Sequence, residues 1–268
     1  MESNNICLGI IGGGVMAEAI LSRLLERQIY PPSLVLVSEP MTQRRNFLSQ
    51  TYQVKVTADN REAAKASEVL LLAVKPQILN IAIANLELNP KQTLISILAG
   101  VTLEKLQQAF PQQAIVRAMP NTPATVGEAM TAISAGNKVQ ELDLARSKAI
   151  FEAIGRVVEI PESLMDAVTG LSGSGPAFVA IAIEALADGG VASGLPRAIA
   201  MELAIQTVLG TATLIQNSHI HPAQLKDRVT SPGGTTIAGV AELEKMGLRA
   251  ALISAVKAAT ERSQELGK

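Results

Sequence analysis

Between Gly12 and Ala17 this chain carries the stretch that most restricts its fold. The apolar run Ile6–Ile11 reads as a short buried strand, and Gly12-Gly13-Gly14-Val15-Met16-Ala17 follows it directly. Met16, Ile20 and Leu24 then recur on one helical face. Strand, glycine turn and helix in that order form the first unit of a doubly wound α/β sheet. The G-x-G-x-x-A spacing has a mechanical reason at such a turn. Gly12 allows the tight bend, Gly14 lets a pyrophosphate approach the main chain, and the small Ala17 lets helix and strand pack closely. Gly12, Gly13, Gly14, Val15, Met16 and Ala17 are therefore read as a dinucleotide site.

Further strand signals fall at Leu34–Val37, Val54–Val56, Val69–Val74, Thr93–Leu98, Ala114–Ala118, Met130–Ile133 and Arg156–Ile160, with helical runs between most of them. That alternation predicts a mostly parallel sheet covered on both faces, a Rossmann architecture. Such sheets bind ligands at strand C-termini beside the switch point, so Lys75, where a central apolar run stops, is a candidate contact. The turn Met119-Pro120-Asn121-Thr122-Pro123 lies on the same edge and reads as a rigid wall or a plain structural turn. The second strand ends in Ser38-Glu39-Pro40. A carboxylate at the end of this strand usually holds the ribose 2′-OH of NAD. Here Ser38 comes first and Arg44 and Arg45 follow, which suits the 2′-phosphate of NADPH. Glu39 leaves NADH open, and both arginines also fit a solvated helix face.

Strand signals cease after Ile160, and Pro161-Glu162 marks a boundary. The expected domains are 1–160, dinucleotide-binding, and 161–268, an all-α domain. Helices are predicted from Pro176 to Gly189-Gly190, from Leu195-Pro196 to about Gln216, and over Leu248–Leu266. The first is interrupted only by Glu184 and Asp188. A helix apolar on nearly every side must be buried on every side, and about a hundred residues supply little interior, so a second subunit is expected to cover it.

Composition excludes several classes. Lys+Arg 23 against Asp+Glu 24 gives a formal charge of -1, which recruits neither nucleic acid nor an anionic membrane. One cysteine, Cys7, allows no internal disulfide, forms no metal cluster and suits a reducing cytoplasm. Met1–Asn5 is too polar to open a signal peptide. The longest apolar stretch, Pro176–Ala187, is far short of the ~20 residues that span a bilayer. His219 and His221 fall in an expected linker and read as bystanders.

A second functional stretch lies at Leu225–Thr236. Pro232 fixes one backbone angle, Gly233 and Gly234 remove side chains, and Thr235 and Thr236 open a helix with Ile237, Val240, Ala241 and Leu243 as its apolar positions. The first amides of a helix have no internal partner and the dipole favours an anion, so this reads as a carboxylate receptor; an ordinary N-cap has the same composition.

Taken in order, several stretches resemble 1-pyrroline-5-carboxylate reductase over nearly the whole chain. They are Gly12–Ala17, Leu72-Ala73-Val74-Lys75-Pro76-Gln77, Ala99-Gly100-Val101, Arg117–Pro123, Gly170–Ala177, Ala187–Val191 and Leu225–Thr236. The resemblance implies a Rossmann domain followed by a helical domain that interlocks with its partner in a homodimer, with decamers in many members. It puts the cofactor, NADPH or NADH, along Gly12–Ala17, Ser38, Asn60, Ala73, Val74, Lys75, Pro76 and Ala99, beside the Arg44 that the end of the second strand offers. It puts the substrate on Ser231, Gly233, Gly234, Thr235 and Thr236, with the Thr236 hydroxyl, the catalytic candidate, facing the ring nitrogen. Val15 departs from the pattern, since many members carry a polar residue there. The implied reaction is hydride transfer to the C=N carbon of the cyclic imine, giving L-proline. A reductase of another small cyclic imine or keto acid is the alternative within enzymes. A non-catalytic dinucleotide sensor is the alternative outside them, and it would be expected to have lost the Ser231–Thr236 stretch.

Overall fold

The structure, a computed structural model, describes residues 6–267, so Met1–Asn5 lies outside it. Two compact units divide the chain: the first runs to Gly173 and takes in the residues from Ala259 onward, and the second is Ser174–Ala258. The division expected at 160/161 follows the end of the last strand. The geometric one falls later, because the helical turns after that strand pack with the sheet unit.

In the first unit the order is β1 (Leu8–Ile11), α1 (Val15–Glu26), β2 (Val35–Ser38), α2 (Thr42–Tyr52), β3 (Lys55–Thr57), α3 (Asn60–Ala63), β4 (Val69–Leu72), α4 (Leu79–Ala82), β5 (Thr93–Ser96), α5 (Leu103–Ala109), β6 (Ala114–Met119), β7 (Ala129–Ala135), α6 (Glu141–Glu152), β8 (Gly155–Glu159) and α7 (Met165–Val168). All eight strand signals become strands of one sheet, ordered β3-β2-β1-β4-β5-β6-β7-β8. Every pairing is parallel except β6 with β7. The exception has a simple cause: β6 and β7 are joined by the short 3₁₀ turn Thr122–Val126, and a parallel crossover needs a longer connection.

Register puts Ile11 opposite both Ser38 and Leu72, so the glycine turn after β1 lies between the ends of β2 and β4, where the strand order reverses. The sheet is buried from both sides, as continuous apolar strands require. Leu8, Ile10, Val69 and Leu71 pack with Ile20 and Leu24 of α1 on one face; Ile11, Leu70 and Leu72 pack with Leu79 and Leu106 on the other. Alternate residues of each strand thus serve opposite cores.

The second unit contains α8 (Gly175–Ala192), α9 (Arg197–Ser218), α10 (Pro222–Arg228), α11 (Thr235–Lys245) and most of α12 (Leu248–Leu266). Gly189-Gly190 does not end α8, contrary to the sequence expectation. The helix runs through to Ala192, and the stop is Gly194 at φ +98°. The glycines have a packing role instead. A Cβ on Gly190 would sit 3.1 Å from the Cβ of Ala200, so glycine permits the close approach of α8 and α9.

The apolar length is also greater than expected. A π-helical turn at Thr169–Gly173 carries the backbone through the glycine-serine stretch. Glu162–Ala192 and Arg197–Ser218 are consequently long and apolar enough to cross a bilayer by length and composition. Little of this apolar surface is covered within the chain. Within α8 and α9 only Ala187, Ala200 and Ala204 are buried, whereas Ile181, Leu203 and Leu209 are all more than half exposed.

Candidate active site

The glycine turn is built as its spacing predicts. Gly12 has φ +100°, and a Cβ there would lie 2.6 Å from the Ala73 carbonyl oxygen, so only glycine closes this bend against the end of β4. Gly14 is the N-cap of α1, and a Cβ there would meet no atom within 4 Å. Ala17 is buried against the sheet. An open face beside the first turn of a helix suits an anion, because unpaired amides and the helix dipole both favour negative charge. The residues present therefore fit a pyrophosphate.

Around that turn the strand ends converge. The Ser38 hydroxyl at the end of β2 lies 2.6 Å from Asn60 Oδ1, and Asn60 Nδ2 donates to the Ala82 carbonyl at 2.9 Å. Ser38 is buried, while Asn60 lines a cleft with Thr57, Asp59, Arg61, Ile81 and Asn85. Ala73 and Val74 border the glycine turn, Lys75 is exposed as the N-cap of a 3₁₀ turn led by Pro76, and Ala99 is exposed beyond β5. Val15 and Met16 open α1, with Val15 largely exposed.

The charged residues that follow Ser38, namely Glu39, Arg44 and Arg45, all bond to the main chain. Glu39, only 8% exposed, accepts from the Gly13 amide at 3.0 Å and from the Met41 amide at 2.9 Å. Arg44 donates from Nε to the Gly13 carbonyl at 2.6 Å and pairs with Glu18. Tyr52 donates to Glu18 at 2.8 Å; burial first, and then that hydrogen bond and the carboxylate charge, push its phenol up to about 12. Arg45 donates to the carbonyls of Glu39 and Pro40.

In the second unit the turn before α11 is equally specific. Gly233 has φ +65°, and the Gly234 amide donates to the Ser231 carbonyl at 3.1 Å. A Cβ on Gly234 would lie 2.2 Å from Ser231 Oγ, so the serine folds over the place a side chain would take. Gly234 is the N-cap of α11 and no side chain caps it, in contrast to the threonine caps so common at helix starts. Thr235 and Thr236 occupy the first turn.

Comparison with known proteins gives this geometry a family. The pyrroline-5-carboxylate reductase dimerisation family matches residues 162–266, and the family described as NADP oxidoreductase, coenzyme F420-dependent, matches residues 7–100. A pyrroline-5-carboxylate reductase of Synechocystis is 65% identical over 98% of this chain and 99% of its own length. The chain belongs to the pyrroline-5-carboxylate reductase family. Among solved structures, the pyrroline-5-carboxylate reductase of Coxiella burnetii superposes with a TM-score of 0.90 at 33% identity, covering 98% of this chain and 99% of that one. The Plasmodium falciparum pyrroline carboxylate reductase, solved with NADP bound, superposes at 0.88 and 33% identity over 99% of both chains.

The dimerisation family spans α8 and α9, the helices whose apolar faces are exposed within the chain. The pyrroline-5-carboxylate reductase site read from sequence lies in two groups. Gly12–Ala17, Ser38, Asn60, Ala73, Val74, Pro76, Lys75 and Ala99 gather at the C-terminal edge of the sheet, and Ser231–Thr236 forms the turn of the second unit. Sequence reasoning missed the tie of Glu39 to Gly13 and the role of Glu18, a residue that spacing offers no reason to single out. It placed Asn121 in the turn after a strand end, as a wall or a plain structural turn, without its ties to Ser172 and Met130.

Proposed function

We propose that this chain reduces 1-pyrroline-5-carboxylate to L-proline with NADPH, NADH serving less well. The observation that carries this reading is the Ser231–Thr236 turn, which leads into an eleven-residue helix whose start no side chain caps, in a chain that also keeps the open glycine turn. A non-catalytic dinucleotide binder has no use for the first of these. The full-length similarity to named reductases supports the same reading.

Amides around Gly234, Thr235 and Thr236 hold the substrate carboxylate, with Ser231 and Gly233 shaping the turn. The Thr236 hydroxyl hydrogen-bonds the ring nitrogen. When bound, the cofactor supplies the hydride that reaches the C=N carbon. The nitrogen is protonated in the reactive iminium form, so one hydride balances the reduction and no strong protein acid is needed. His219 and His221 stay outside the chemistry. What the chain contributes is orientation and electrostatics.

Gly12–Ala17 would hold the cofactor pyrophosphate, Ser38 and Asn60 would face the 2′-phosphate, and Ala73–Pro76 and Ala99 would line the nicotinamide half. The chain works as a homodimer with interlocked C-terminal helices, assembling further toward a decamer, in a reducing compartment such as the cytoplasm. The exposed Leu203 and Leu209 support this assembly.

The test is loss of NADPH absorbance, and separately of NADH absorbance, on adding 1-pyrroline-5-carboxylate, with the product identified as proline. Cofactor binding without turnover would reject this substrate. Light scattering on the same sample gives the subunit number.

A further inference from the structure

Arg44 was expected at the ribose 2′-phosphate, and the structure commits it elsewhere. Its Nε donates to the Gly13 carbonyl at 2.6 Å, its far nitrogen pairs with Glu18, and its guanidinium lies 5.0 Å from the Phe47 ring centroid. Glu18 is itself held by the Tyr52 hydroxyl. The guanidinium is thus fixed by groups from both α1 and α2. Glu39 holds the same glycine by its N–H and anchors its second oxygen on the Met41 amide.

The consequence is geometric. Gly13 O and Gly14 N–H belong to one planar trans peptide and point in opposite directions. A Gly13 carbonyl drawn toward Arg44 therefore turns the Gly14 N–H the other way. The space around Gly14 is open, with no atom within 4 Å of where a Cβ would stand. A cation on the carbonyl also polarises the peptide and strengthens its N–H as a donor.

We infer that Arg44 is a positioning residue that acts on the cofactor pyrophosphate through the Gly13–Gly14 peptide, and does not select the ribose 2′ group. Glu39 is its counterpart on the preceding peptide, with its carboxylate spent on amides and not on a ribose hydroxyl. The inference rests on the dinucleotide reading of the glycine turn.

Calorimetric titration of the full chain with NADPH and with NADH tests it. Binding needs no turnover, so an error in the proposed substrate leaves the measurement sound, whereas a wild-type chain that binds neither cofactor overturns both readings. The Arg44→Met variant should bind both cofactors about tenfold more weakly, the scale of one charge-assisted hydrogen bond, with the NADPH/NADH affinity ratio preserved. In turnover the loss should fall on the cofactor KM more than on kcat, and Arg44→Lys, which can still reach a carbonyl, should restore part of it. Loss of NADPH affinity alone would assign Arg44 to the 2′-phosphate and overturn the inference, as would unchanged affinity for both. Glu39→Gln carries the same test without touching Arg44: equal weakening supports the tie, and selective loss of NADH overturns it.

Discussion

Asn121 and Ser172 are joined by a hydrogen bond of 3.0 Å from Asn121 Nδ2 to the Ser172 carbonyl, while Asn121 Oδ1 accepts from the Met130 amide at 2.9 Å. One buried side chain therefore ties the proline-flanked turn after β6 to the start of β7 and to the π-helical turn Thr169–Gly173. π-turns inside helices often stand at functional sites, and here the carbonyl that such a turn frees has a partner. Asn121→Ala should destabilise the fold by about 1–3 kcal/mol, because the Met130 amide and the Ser172 carbonyl lose their shared partner in a water-poor place. Urea unfolding of the two proteins measures this. A change below a few tenths would mean that water replaces the amide without cost.

Thr236→Ala should lower turnover about tenfold to a hundredfold, the worth of one hydrogen bond to a charged group, and leave the dissociation constant for NADPH unchanged. The Thr236 hydroxyl is assigned to the substrate nitrogen and Gly234 has no side chain cap to lose. Steady-state rates beside cofactor titration decide it. A wild-type rate would remove Thr236 from the chemistry.

Gly12→Ala and Gly14→Ala should fail for different reasons. At Gly12 the backbone is left-handed and the new Cβ would meet the Ala73 carbonyl oxygen at 2.6 Å, so the loss is in stability, on the order of several kcal/mol. At Gly14 no atom of the chain opposes a Cβ. The fold should persist at roughly wild-type stability, and only the approach of the pyrophosphate should suffer. Thermal melts together with NADPH titration separate the two, and a Gly14→Ala chain that binds NADPH normally would place the pyrophosphate elsewhere.

The tyrosines offer a prediction in pH. Burial and the Glu18 carboxylate push the Tyr52 phenol up to about 12, above its ordinary value of 10.0. A group whose folded value is raised contributes stability that is complete below the unfolded value and is lost as pH rises through the folded one. That window runs from about 10 to 12. Tyr30 is shifted in the same direction, mainly by burial and then by Glu68. Ultraviolet titration of the folded protein should show neither phenolate at pH 10, and Glu18→Gln should bring the Tyr52 transition down. Ionisation of both phenols near 10 in the folded chain would contradict the buried environment.

Much of this protein is local in origin and therefore legible in order along the chain. Strand runs such as Val69–Leu72 are apolar without interruption because both faces of a parallel sheet are covered, and α12 falls over the stretch where a last helix is expected. The G-x-G-x-x-A spacing marks Gly12, Gly14 and Ala17 locally, although the atom that forbids a Cβ on Gly12 is the Ala73 carbonyl oxygen, far along the chain. The turn at Ser231–Thr236 is legible for the same reason.

Tertiary structure decided the rest, wherever a residue's partner is distant in sequence. Arg44 carries the same charge whether it faces a 2′-phosphate or the Gly13 carbonyl, and only the approach of α2 to the glycine turn selects the carbonyl. Glu39 could have faced a ribose; the Gly13 amide, brought beside it by the pairing of β1 with β2, holds it inward. Gly189-Gly190 resembles a helix stop until Ala200 packs against it. Sequence determines what each segment can do by itself, because sterics and hydrophobic period act locally. Which of two compatible partners a charge or a glycine meets depends on strand pairing and helix contact, and those exist only once the chain has folded.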